Sequence, residues 1–264
     1  MPKTRSINDK VANLCKFFKV ADLRIMLQPD FLVNLRSSLS LNSDKNIINS
    51  RAWIQTAINI SKDIETQPYN AEKLKGYLPE LRGMTVKKPK EFLPRMHEIF
   101  AECGIAFVLL PHLKNSGVNG AVKWVTDDRV VLAINNRGVY ADKFWFSLFH
   151  EIRHVLQQKI KKVFISSTLE EMMDINNKLE IDADKFANNY LIPPVEYKRL
   201  APTRFISDKE IVEFAKSIGI HPGIVAGRLQ HEGIIPQESC SKLKEKYVFE
   251  IKKMNRQILG KDEI

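Results

Sequence analysis

Phe144-Trp145-Phe146-Ser147-Leu148-Phe149-His150-Glu151-Ile152-Arg153-His154 sets two histidines four residues apart inside an apolar run. Residues four apart share one face of an α-helix, so His150 and His154 can aim two ring nitrogens at one point. A Zn²⁺ ion takes such nitrogens at about 2.0–2.1 Å. Glu151 follows the first histidine, where a carboxylate can accept a proton from water without itself binding the metal. Phe144, Trp145, Leu148, Phe149, Ile152, Val155 and Leu156 recur at helical spacing, with Asp142 as N-cap or first-turn acid. This arrangement is expected of a zinc-dependent peptidase. A buried helix whose two histidines are only packed is the plain alternative, so the surroundings decide.

A catalytic zinc needs a third protein ligand and one open position. Downstream, a second helical pattern covers about 169–191, after a basic stretch (Lys159, Lys161, Lys162) and a short strand or turn over Val163–Ile165. Within it Glu180, Ala183, Asp184 and Ala187 share one face, and the two alanines allow close approach to the metal-bearing helix. Glu180 is the candidate third ligand. Asp184, one turn on, is placed to accept the second N–H of a ligand histidine and fix its tautomer. Asp182 is expected to point well away. Glu170 and Glu171 are rival ligands that lie earlier and lack the small-residue face.

Working outward, residues 1–68 read as a helical N-terminal region, with Leu14, Phe17, Phe18, Leu23, Met26 and Leu27, then Trp53, Ile54, Ala57 and Ile58, at helical spacing. Ser37–Asn49 is polar and reads as a connector. A hinge at Gln67-Pro68-Tyr69-Asn70 leads to a helical hairpin (71–81 and 89–103) and then to strands over Ile105–Leu110, Gly120–Val125 and Arg129–Ile134. Thr126-Asp127-Asp128 is the expected hairpin turn. Ser207–His231 has the outline of a helix-turn-helix, with Ser207 and Glu210 forming a capping box and Gly219 in the turn. Its second helix is largely apolar, which favours packing over DNA reading; only Arg228, Gln230 and His231 are obvious nucleic-acid readers.

The stretch Phe144–His154, followed by Glu180-x-x-Ala183-Asp184-x-Phe186-Ala187 and Leu191-Ile192-Pro193, resembles the ImmA/IrrE family of zinc metallopeptidases. More narrowly it is similar to the branch in which an antitoxin-type helix-turn-helix regulator is fused to the peptidase. Gly120-Ala121-Val122-Lys123-Trp124 and Pro222–Gln230 match elements of that branch, and the agreement runs over about 51–246. The resemblance implies an α+β, zincin-like (gluzincin-type) domain over 69–264, with a small sheet, the HExxH helix and a C-terminal helical subdomain at about 202–250. It implies His150, His154 and Glu180 as ligands of one Zn²⁺ per chain, Glu151 as general base and acid, and Asp184 as the carboxylate behind a ligand. Arg153 departs from the glycine often found there in the family. Val11–Val20 looks like the tail that follows the DNA-binding helices of fused relatives, so the chain is expected to be that protein without its DNA-binding head. The resemblance also assigns Arg129–Ile134 to a sheet edge over the cleft, where an extended substrate can add as a strand. Tyr140, His221, Arg228 and His231 are the candidates for stabilising the oxyanion.

Composition fits these expectations. Hydrophobic residues make up 44% and charged residues 27%, which is ordinary for a globular chain and excludes a disordered or fibrous one. No apolar run is long enough for a bilayer and no signal-peptide core is evident, so no membrane role is expected. Cys15, Cys103 and Cys240 are too sparse for a disulfide framework, which points to the cytoplasm. The net charge of +10 gathers in lysine clusters at 87–90, 159–162 and 242–246 that suit a solvated face or an acidic partner. The leading expectation is a zinc endopeptidase cleaving a specific regulator, such as a helix-turn-helix repressor or antitoxin. The alternative is an antitoxin-like or regulatory binding protein that keeps the fold and cleaves little. Direct DNA binding is a weaker third reading, and no oligomeric state is legible.

Overall fold

The computed structural model describes residues 3–27, 44–136, 140–157, 169–200 and 206–249, with backbone alone at 27, 44 and 169–176. The expected strand or turn at 163–165, the lysines at 159–162 and most of the connector at 37–43 lie outside the described residues. So do the side chains of Glu170 and Glu171.

The chain is mixed α and β, built on a three-stranded sheet of β1 (Ile105–Leu110), β2 (Gly120–Thr126) and β3 (Arg129–Asn135). Strand order is β1-β3-β2, with β1 parallel and β2 antiparallel to β3. Successive side chains of a strand point to opposite faces. Ile105, Phe107, Leu109, Val130, Leu132 and Ile134 therefore enter the larger core with α4 (Pro89–Glu102) and α5 (Ala141–Leu156). Ala106, Val108, Leu110, Val131 and Ala133 face the other way, onto Trp53 and Ala57 of α2 (Asp44–Ser61). Burial on both faces explains why β1 and β3 read as unbroken apolar runs.

One expectation is corrected by this topology. Arg129–Ile134 is not an edge, because β3 lies between the other two strands and both its sides are hydrogen-bonded. The hairpin turn and apolar run were legible, but the parallel pairing with β1 was not. The side of β2 away from β3 carries no strand partner among the described residues. The Asn135 N–H bond to Asn119 C=O sets the phase of that pair. Backbone groups of Gly120, Val122 and Trp124 consequently point outward from the sheet.

The polar connector is also shorter than expected, since 44–49 already belong to α2. Polar residues of α2 are used in tertiary bonds: Asn49 Nδ2 donates to Lys114 C=O at 3.0 Å and Ser50 Oγ to Ser116 C=O. Nor is α2 detached. Arg129 Nη2 donates to the carbonyls of Ser61 at 2.6 Å and Ile64 at 2.7 Å, and Tyr69 N–H to Asp128 C=O at 2.7 Å. The segment read as a hinge is thereby pinned to the sheet. The remaining elements are α1 (Ile7–Phe18), α3 (Ala71–Gly83), α6 (Leu169–Leu191), α7 (Pro194–Leu200), α8 (Asp208–Ser217) and α9 (Pro222–His231). Among the described residues no helix is long and apolar enough to cross a membrane.

Trp53 is the test of α2 as a layer of one fold. It is 3% exposed, and its Nε1 donates to Pro111 C=O at 2.9 Å. Trp53→Ala should destabilise the whole chain by about 3–5 kcal/mol in a denaturant titration. Loss of the α2 signal with an unchanged main transition would mean that residues 1–68 fold apart.

Candidate metal centre

Helix α5 carries the motif because its inner face is apolar from end to end: Phe144, Trp145, Leu148, Phe149, Ile152 and Val155 are all buried. Its start is held by the segment 241–249. Ala141 N–H donates to Glu245 C=O at 2.9 Å, Tyr140 bridges to Lys246, and the buried Trp145 Nε1 donates to Tyr247 Oη at 2.9 Å. Asp142 sits in the first turn, where a carboxylate suits the helix dipole, and Lys244 Nζ lies 3.0 Å from it. Close approach of α9 requires Gly227, since a Cβ there would come within 2.5 Å of the Asp142 carboxylate.

His150 and Glu151 are almost fully buried, at 1% and 3% exposure. On α6, Ala183 and Ala187 are fully buried against α5, as the small-residue face predicts. This brings Glu180 to the two histidines. His150 Nε2 lies 3.0 Å from His154 Nε2 and 3.7 Å from one Glu180 oxygen; His154 Nε2 lies 3.3 Å from the other. Tetrahedral donors about 2.0–2.1 Å from one zinc sit roughly 3.3 Å apart, so the spacing fits. His150, His154 and Glu180 thus form a group able to hold a metal ion.

The outer ring atoms settle which nitrogens face inward. His150 Nδ1 lies 2.7 Å from Asp184 Oδ1, and a carboxylate only accepts, so Nδ1 carries the proton. His154 Nδ1 lies 2.8 Å from Gln157 Oε1. Gln157 Nε2 donates to Leu179 C=O at 3.1 Å and to Asp182 Oδ2 at 2.7 Å, so the orientation of its amide is fixed. His154 Nδ1 must then donate to Oε1. Rings held this way turn two Nε2 atoms and a carboxylate toward one point, an arrangement able to hold a divalent cation.

Two further residues shape the site. Asp182, expected to point away, instead accepts from Arg153 Nε at 2.6 Å and so gives the unusual arginine its partner. Partial burial opposes the Asp182 charge, but the bonds from Arg153 and Gln157 outweigh it and hold its pKa below the ordinary carboxylate value. Gly120, at the start of β2, is the closest neighbour on the other side. A Cβ there would lie 2.6 Å from Glu151 Cγ and 2.7 Å from its Oε1. Gly120 stands in the Gly-Ala-x-x-Trp element, yet its role needs the strand to cross the helix, which spacing alone does not show. Gln157 gave no signal in the sequence beyond lying three residues after His154.

The oxyanion candidates are placed less centrally. Tyr140 is ten residues before His150 on one helix, roughly 15 Å along its axis. Its ring faces Lys244 and Lys246. His221 caps α9 by accepting from Gly223 N–H, and its Nε2 lies 3.2 Å from Glu245. Burial lowers the His221 pKa although Glu245 counteracts it. Arg228 donates to the carbonyls of Asn188 and Ile192 at 3.1 and 3.2 Å, pairs with Glu232 and lies over the Tyr197 ring. His231 is exposed at the end of α9. The apolar residues of α9 (Ile224, Val225, Ala226 and Leu229) are buried, as is Gln230, so the helix-turn-helix outline is used for packing.

No protein-family model matches the chain, and no curated protein or solved structure matches it either. The geometry stands alone and is tested directly. The purified chain should carry about one zinc, by elemental analysis, and Glu180→Ala and His154→Ala should each lose it. Equal metal content in all three proteins would place the ion elsewhere.

Proposed function

We propose that the chain is a zinc-dependent endopeptidase of zincin type. The observation that carries this reading is the convergence of His150 Nε2, His154 Nε2 and the Glu180 carboxylate beside a second, buried carboxylate, that of Glu151. A binding scaffold has no chemical need of that carboxylate.

Zinc, held by His150, His154 and Glu180, would supply a Lewis acid that activates water near neutral pH and polarises the scissile carbonyl. The chain's own residues do the rest. Glu151 accepts the proton of the attacking water on a carboxylate oxygen. It then gives that proton to the amide nitrogen as the C–N bond breaks, leaving a carboxylic acid and an amine. Burial against Gly120 keeps bulk water from solvating Glu151 and fixes its direction. Asp184 and Gln157 hold the two imidazoles in the tautomer that ligation needs. The outward backbone groups of Gly120, Val122 and Trp124 offer an extended peptide a strand to pair with, directly beside Glu151. This edge replaces β3 in the role that the sequence assigned to Arg129–Ile134.

The substrate class follows from the resemblance to ImmA/IrrE peptidases: a folded or partly folded regulator, such as a helix-turn-helix repressor or antitoxin. A cytoplasmic setting suits such a target, and Cys15, Cys103 and Cys240 are all free thiols. With Gln230 buried and Arg228 bound to carbonyls of the same chain, α9 offers little to DNA, so the regulator is read as a protein partner.

Glu151→Gln should keep the metal and lose at least 100-fold in peptide hydrolysis, on the order expected for removing a general base. Gly120→Ala should likewise keep the metal while pushing the Glu151 side chain aside, and so lower kcat more than it raises KM. Hydrolysis undiminished in Glu151→Gln sinks the peptidase reading; a fall in zinc content with Gly120→Ala would show that the strand supports the ligands instead.

A further inference from the structure

We propose that Gln157 is a positioning residue for the metal: its side-chain amide fixes the tautomer of His154 and locks that ligand to α6 through Asp182 and Arg153. The inference rests on the metal-centre reading above and adds to it a residue that no part of the resemblance supplies.

The geometry is specific. Gln157 closes α5, its backbone N–H bonding to Arg153 C=O at 3.0 Å. From there its amide makes three contacts in three directions. Oε1 accepts from His154 Nδ1 at 2.8 Å, while Nε2 donates to Leu179 C=O at 3.1 Å and Asp182 Oδ2 at 2.7 Å. Both partners of Nε2 can only accept, so the amide cannot flip without setting oxygen against oxygen twice. The Asp182 oxygen that holds Gln157 is also held by Arg153 Nε at 2.6 Å. Arg153 lies one turn before Gln157 on α5, so the relay begins and ends on the metal-bearing helix and passes through α6. The Arg153 guanidinium is also 5.4 Å from the Phe186 ring centroid, which steadies it from α6 as well.

The two ligand histidines are consequently supported in different ways. His150 donates to the carboxylate of Asp184 on α6. His154 donates to an amide that is itself held by Asp182, so its placement depends on the relay. Removing the amide frees the His154 ring to put its proton on Nε2, the atom that must face the metal. Arg153 gains a reason here too: a small residue at this position leaves Asp182 without its hydrogen-bonded guanidinium and the amide with a weaker anchor.

The experiment uses the full chain. Zinc affinity is measured by competition with a chromophoric chelator, and the His154 tautomer by ¹⁵N chemical shifts in protein stripped of metal. Gln157→Leu keeps the length and loses the amide; it should weaken zinc binding roughly 10–100-fold and convert a pure Nδ1–H tautomer into a mixture. Gln157→Glu keeps an acceptor opposite His154 Nδ1 but sets a carboxylate oxygen against Asp182 and Leu179 C=O; it should keep the Nδ1–H tautomer while weakening zinc binding. That split separates positioning from bulk stability, and it decides the matter if Gln157→Leu does not fold. Unchanged affinity with an unchanged tautomer in Gln157→Leu overturns the proposal, as does unchanged zinc affinity in Gln157→Glu. A parent chain that binds no zinc defeats the metal reading instead, and the tautomer in metal-free protein still decides whether Gln157 sets the ring.

Discussion

Two imidazole nitrogens and a carboxylate that converge on one point need something positive, a proton or a metal ion, between them. His150 Nε2, His154 Nε2 and the Glu180 carboxylate are in that position, and the fold spends a good deal of its structure keeping them there. Each ring is turned inward by a partner on its far side, Asp184 for one and Gln157 for the other. Without those partners the rings would be free to rotate. Ala183 and Ala187, fully buried, let α5 and α6 pack closely. The fold thus holds the three groups in place, and an ion bound there would gain affinity from that.

The same demand for close approach explains the small residues around α5. Gly120 allows β2 to cross over Glu151, and Gly227 allows α9 to reach Asp142; in both places a single Cβ would meet a carboxylate. These glycines are not needed for backbone conformation, since neither has a positive φ. They are needed for room. One helix thus carries the core on its inner face and the candidate metal ligands beside it, and its neighbours must fit both.

Much of this was legible in the sequence, and the reasons differ by element. The boundaries of α6 and the span of α5 follow from 3.6-residue periodicity over long segments, where the signal is strongest. Glu180 and Asp184 follow from face arithmetic against the alanines. The misreadings concern relations between elements that no period encodes. The apolar run of β3 looks the same at a sheet edge or in the middle; only the parallel pairing with β1, set by packing of α2 and α4, puts it in the centre. Asp182 was assigned outward by rotation about the helix, which is correct for its Cα. Arg153 is long enough to reach it regardless. Gln157 was hidden for the opposite reason: a glutamine at a helix end is ordinary until its three partners are known.

The helix-turn-helix outline of α8 and α9 shows how such a motif can serve a metal site. Arg228 of α9 donates to the carbonyls of Asn188 and Ile192, and Arg82 of α3 donates to those of Tyr190, Leu191 and Ile218. Two guanidinium groups therefore bind carbonyls at the C-terminal end of α6, where cations suit the helix dipole, and Arg82 also reaches the end of α8 through Ile218. Burial lowers the Arg82 pKa, yet an arginine far above neutrality keeps its charge. Farther back along α6, the Arg153–Asp182–Gln157 relay ties it to α5, and at the C-terminal anchor Tyr190 stacks on Phe149 of α5. A helix fixed at two points in this way resists sliding and rolling. Glu180 then keeps its register with the two histidines to within the few tenths of an ångström that a ligand distance allows.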